Sequence, residues 1–146
     1  PQAAAAMAAG VPTLERFFDA ELARELRAEG HRADVIIANN VMAHTPTLNS
    51  FVEGLSILLT DDGIATIENT YVKDLIDHCE FDTIYHEHLF YFSRTALVRA
   101  FHRNGLVVAD VERVPIHGGS LRFYLEPVEC VGSVVKAMLE EPGLAL

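Results

Sequence analysis

The run ADVIIANN at residues 33 to 40 constrains the fold of this chain more tightly than any other stretch. Its apolar residues follow one another without polar alternation, the pattern of a parallel strand buried on both faces, and two asparagines end it. Helical patterns flank it, as crossover connections require. Upstream, DAELARELRAEG carries a period of about 3.6 residues that turns Leu22, Ala23 and Leu26 inward, with Gly30 as the stop. Downstream, TLNSFVEGLSILL reads as a helix, and DDG turns the chain into a further strand, GIATIENT.

The remaining segments extend this alternation. AAAAMAA is helical by propensity as far as Gly10, and VPTLERFF, β-branched and aromatic after a glycine and before the next helix, is expected as a strand. SRTALVRAFHRN opens on a serine N-cap and closes before Gly105. LVVADVERVPI and SLRFYLEPV follow each other with only HGG between them, which predicts an antiparallel hairpin. The fold class is therefore α/β, and 146 residues suffice for one core. A partial domain is expected over residues 1–130, and residues 131–146, with KAMLEEPGLAL, read as the start of a helical connection.

Twenty-one acidic against eleven basic residues give a net charge of −10, which repels phosphate backbones and argues against a nucleic-acid partner. No apolar run approaches the roughly 18 residues that span a bilayer, and the alanine-rich start lacks a basic region, so a cytoplasmic chain without a membrane partner is expected. Cys79 and Cys130 have no CxxC spacing and form neither a disulfide framework nor a zinc cluster.

The chemistry-bearing stretch is IYHEHLFYFS. Tyr85, His86, Glu87 and His88 stand together between apolar Ile84, Leu89 and Phe90, so some of them are expected to be partly buried, where titratable groups become reactive. The HEH triplet does not carry a metal: HExxH would need a histidine where Phe90 stands, HxxEH one where Ile84 stands, and the cupin pattern a glutamate at Phe92 or Ser93. His44 follows the C-terminal end of the ADVIIANN strand, the rim at which open α/β sheets bind ligands, and Asn39 and Asn40 share that rim. Gly118 and Gly119 permit a tight turn at HGGS, or the close approach of a phosphate or sugar, with Arg122 as a planar fork. Phe18 is either core or a surface for a flat ring.

Three blocks, ADVIIANNVMAHTPTLNSFV, EFDTIYHEHLFYFS and ERVPIHGGSLRFY, together resemble the S-adenosylmethionine-dependent sugar C-methyltransferases, a family of nucleotide-sugar C-3 methylating enzymes and their relatives. The resemblance implies the second half of a class I methyltransferase Rossmann-like sheet, strands three to seven of the order 3-2-1-4-5-7-6, ending in the antiparallel hairpin. It implies His88 as general base, Glu87 and Tyr85 as its supporting groups, and His44 as a further active-site histidine. Asn39, Asn40 and Phe18 fall where the cofactor is held, and His117, Gly118, Gly119, Ser120 and Arg122 where the nucleotide-sugar substrate is held. It further implies parts of the same enzyme on either side: a zinc-binding segment and a glycine-rich cofactor loop before Pro1, and a C-terminal domain after Leu146. Without them, the isolated chain is expected to be inactive. A nicotinamide-dependent oxidoreductase on a similar sheet, or a non-catalytic truncated domain, is the alternative.

Overall fold

The computed structural model describes residues 1–128 of the chain. Five α-helices, α1 (Gln2–Ala8), α2 (Ala20–Ala28), α3 (Leu48–Leu58), α4 (Val72–Asp77) and α5 (Arg94–Arg103), accompany four strands, β1 (Ala33–Asn39), β2 (Leu59–Thr70), β3 (Leu106–Val114) and β4 (Ser120–Pro127). The strands form one sheet in the order β1-β2-β4-β3. β1 and β2 are parallel, and β4 is antiparallel to both β2 and β3. This is the 4-5-7-6 half of the expected order.

Local chemistry sets the helix ends. Asp19 caps α2 by accepting from the Leu22 N–H at 2.9 Å, and Ser93 caps α5 by accepting from Ala96 N–H at 3.2 Å. Each such cap stabilises its helix by about 1 kcal/mol. α3 buries Phe51, Val52 and Leu55, and α5 buries Leu97 and Phe101, at the spacing that puts one stripe of each against a sheet. That stripe meets Ala65, Ile67, Leu121, Phe123 and Leu125, the residues of β2 and β4 that point to the same face. Phe101 and Phe123 meet edge to face at 5.5 Å. α2 lies against α3 with its backbone close enough that a Cβ on Gly54 would come within 2.9 Å of Asp19 O.

Three expectations are corrected. The VPTLERFF segment is not a strand: residues 11 to 18 have no ladder partner among the described residues, and a strand needs one, so propensity alone does not form it. The ADVIIA run is not buried on both faces. Among the described residues β1 pairs only with β2, Ile36 and Ala38 face the core, and Val35 and Ile37 on the other face are 60% and 67% exposed. DDG does not divide helix from strand, because β2 already starts at Leu59 and carries Asp61 to Gly63 within it. The helix expected in KAMLEEPGLAL lies outside the described residues. No helix among the described residues is long and apolar enough to cross a membrane.

Truncating Phe123 to alanine should lower unfolding free energy by about 3–5 kcal/mol, because a fully buried ring against Phe101 leaves a void. A denaturant melt of Phe123→Ala measures it, and a loss below about 1 kcal/mol would mean that this core packs differently.

Candidate functional site

Strand direction brings the site together. β1 and β2 end at the same sheet edge, and β4 begins there, since Thr70 pairs with Ser120 and Val114 pairs with Ser120 from the other side. The loops at residues 40–47, 71–92 and 115–119 therefore converge. The middle loop is tied at several points: Leu89 N–H donates to Ala43 O at 2.8 Å, Val72 N–H donates to Phe92 O at 3.0 Å, and Phe92 is buried and stacks on Phe90. Between these ties Tyr85, His86 and Glu87 stay exposed while His88 is half-buried. Ile84 and Leu89 are themselves exposed, so of the four consecutive titratable residues His88 is the one partly buried.

A cleft of about 540 Å³ opens on this edge, lined by His44, Tyr85, His88, His117 and Gly118 with Asn40, Thr70, Glu80, Asp82 and Thr83. His88 Nδ1 lies 2.8 Å from Thr83 O. A carbonyl only accepts, so Nδ1 carries the proton and the neutral ring keeps its lone pair at Nε2. Tyr85 Oη lies 3.0 Å from that Nε2 and donates to it. His44 repeats the arrangement, with Nδ1 2.9 Å from Glu87 O and its ring centre 4.9 Å from that of His88. Two imidazoles are thus held by backbone carbonyls with Nε2 as the accepting nitrogen, that of His88 engaged by Tyr85 and that of His44 without a hydrogen-bond partner among the described residues.

Beside this cleft lies a second of about the same volume, about 540 Å³, with apolar walls from Phe17, Phe18, Val41, Pro46 and Phe51. Phe18 packs edge to face on Phe51 at 5.6 Å, so it is both a core contact and a cleft wall. Asn40 and His44 line both clefts. Asn40 sits at φ 54°, a left-handed conformation that asparagine tolerates, and donates from its backbone N–H to Glu68 O at 2.8 Å.

The structure brings His44, Tyr85, His88, His117, Gly118 and Asn40 to the first cleft and Phe18 to the second. Glu87 contributes its backbone carbonyl, and its exposed carboxylate is 4.0 Å from His86 Nε2 rather than at His88. Asn39 lines neither cleft. Ser120 is fully buried, and its hydroxyl donates to Ile116 O at 3.1 Å. Arg122 is held away from the first cleft by Glu68, to which it donates from Nε and Nη2 at 3.1 and 2.7 Å, and by Glu112 at 3.2 Å. Its hydrogen bonds to Glu68 first, and then to Tyr124, raise its pKa above the ordinary guanidinium value. The space over the glycines is filled as well: a Cβ on Gly118 would collide with the Glu80 carboxylate, and one on Gly119 with Asp74. The glycines admit these carboxylates, which is a different close approach from that of a phosphate.

Glu68, Glu80, Asp82 and Thr83 escaped the sequence reading. Thr83 acts through its carbonyl, which no side-chain pattern reveals. Glu68 stands in a strand that also holds Thr66, Asn69 and Thr70, so only its burial, seen in the structure, marks it as a carboxylate that needs a cationic partner.

A methyltransferase-domain family model matches residues 4–111. The C-methyltransferase NovU of Streptomyces niveus is 34% identical over 131 residues, covering 90% of this chain and 31% of that protein, so the chain spans about a third of its relative's length. Among solved structures, an O-methyltransferase family protein from Burkholderia thailandensis matches with a TM-score of 0.58 at 16% identity, over 85% of this chain and 38% of that one. Magnesium protoporphyrin IX methyltransferase from Synechocystis PCC 6803, solved with S-adenosylhomocysteine bound, matches with a TM-score of 0.51 at 15% identity, over 66% of this chain and 45% of that one. With the family model covering most of its length and the sheet order agreeing, the chain belongs to the methyltransferase-domain family and has the class I methyltransferase fold.

Proposed function

We propose that this chain carries the acceptor side of an S-adenosylmethionine-dependent C-methyltransferase, which deprotonates a carbon next to the ketone of a nucleotide-linked keto-sugar so that this carbon can take the methyl group. The observation that carries the reading is the His88 ring, its Nδ1–H held by Thr83 O and its Nε2 lone pair beside the Tyr85 hydroxyl. A base that must remove a carbon-bound proton needs a fixed tautomer and a donor for the oxyanion that develops. Here the backbone supplies the first and Tyr85 the second.

The residues also fit the methyl donor. Apolar ring walls at Phe17, Phe18 and Phe51 suit an adenine, and Asn40, on the wall shared by both clefts, suits the polar methionine end. S-adenosylmethionine supplies an electrophilic methyl group. His88 Nε2 takes the proton from the acceptor carbon, the C–H electron pair moves toward the ketone oxygen, and Tyr85 turns its O–H from Nε2 to that oxygen. His44, whose Nε2 has no hydrogen-bond partner among the described residues, accepts a hydrogen bond from a substrate hydroxyl. Glu80, Asp82 and Thr83 suit the hydroxyls of a sugar ring, and among the described residues no Lys or Arg lines this cleft, which favours the sugar rather than the diphosphate as its occupant. NovU, a C-methyltransferase, supports carbon as the atom methylated. The nicotinamide alternative has no comparable support.

In the full-length protein, His88→Asn should lower kcat by about 10²–10⁴-fold while donor affinity stays within about twofold, because a base acts on the barrier rather than on ground-state binding. Parent-like turnover would remove His88 from the role. Gly118→Ala should push the Glu80 carboxylate from its place and raise the acceptor KM by about tenfold with a smaller change in kcat. An unchanged KM would show that Glu80 does not touch the acceptor.

A further inference from the structure

Residue 68 holds residue 40 twice. The Glu68 carbonyl accepts from the Asn40 backbone N–H at 2.8 Å, and Glu68 Oε1 accepts from Asn40 Nδ2 at 3.3 Å. The other carboxylate oxygen, Oε2, takes both donors of Arg122. These groups belong to one row across the sheet, in which Asn39 pairs with Glu68, Glu68 with Arg122, and Arg122 with Glu112. Glu68 is 1% exposed. A carboxylate that deeply buried is costly unless paired, and a pair of this kind is a poor source of stability compared with apolar packing. What the pair does provide is polarity. A free carboxamide can present either its oxygen or its NH₂, and only an acceptor partner on one side decides which. Glu68, paired with Arg122 through Oε2, accepts the NH₂ and leaves Asn40 Oδ1 to the wall shared by the two clefts.

We infer that Glu68 is a positioning residue for the methyl donor: its buried carboxylate orients the Asn40 carboxamide so that Oδ1 accepts from the ammonium group at the methionine end of S-adenosylmethionine. The inference rests on the reading of the Phe17 to Phe51 cleft as the donor's place. It gives Arg122 an indirect part as well, since its guanidinium holds the Glu68 carboxylate through Oε2 and turns Oε1 to Asn40. Asn40 touches the ligand, and Glu68 and Arg122 act through it.

Calorimetric titration of the full-length protein with S-adenosylmethionine tests this as a cycle of Glu68→Gln, Asn40→Ala and the double variant. Each single change should weaken donor binding by about tenfold, the worth of one charge-assisted hydrogen bond, and the double variant should lose no more than either. Losses that multiply in the double variant, or parent affinity in Glu68→Gln, would overturn the inference, because a merely structural Glu68 would not share its effect with Asn40. If Glu68→Gln does not fold, Glu68→Asp takes its place in the cycle, since it keeps the charge for Arg122 but withdraws the carboxylate by one methylene from Asn40. A parent that binds the donor yet methylates no keto-sugar would sink the acceptor reading above and leave this one standing. A parent with no affinity for the donor would overturn the donor cleft and this inference with it.

Discussion

The double pairing of β2 is the constraint on which the rest depends. One edge of this strand runs parallel to β1 and the other antiparallel to β4, so the end of β1, the end of β2 and the turn before β4 are forced to one side of the sheet. Every group assigned a role, from Asn40 to Gly118, follows from that geometry. A purely parallel sheet would have carried the turn of the hairpin away from the histidines. The core on one face, with Phe101, Phe123 and Leu125 fully buried under α5 and α3, holds this sheet edge rigid enough for loops to present side chains at fixed distances.

The site itself is governed by backbone carbonyls as much as by side chains. Thr83 O and Glu87 O each take an imidazole Nδ1–H, and so two histidines whose rings lie 4.9 Å apart both keep an accepting nitrogen. A carbonyl fixes the tautomer with no added charge. The carboxylates stand elsewhere: Glu80 and Asp82 on the cleft wall, Glu68 beneath Asn40, and Asp74 under Gly119, with Arg113 as its ion-pair partner.

Much of this was legible in the sequence because it depended on local pattern. Helix α2 announced itself by its period and the Gly30 stop, helix α5 by Ser93 as its cap and by Gly105, and the β3–β4 hairpin by two strands with only HGG between them. The YHEH stretch, singled out for its run of titratable side chains, contributes Tyr85 and His88 to the first cleft. What failed was whatever depends on neighbours. VPTLERFF has strand composition but no partner strand, and Val35 and Ile37 are apolar but sit on the uncovered face of an edge strand. Arg122 looked like an anion fork because nothing in its own segment shows that Glu68, far away in sequence, stands opposite it across a strand pair. The resemblance implied Glu87 as the support of His88, whereas adjacent side chains on an irregular segment diverge, and its carboxylate stands nearer His86.

The central claim is that His88 removes a proton from carbon, and the most direct measurement is exchange of that proton with solvent. The full-length protein is incubated in D₂O with a nucleotide-linked keto-sugar and S-adenosylhomocysteine, so that no methyl group can be transferred, and deuterium incorporation next to the ketone is followed by NMR. The account predicts that the parent catalyses this exchange and that His88→Asn does not. Exchange at the parent rate in His88→Asn would contradict it, because the proton would then be leaving to some other base.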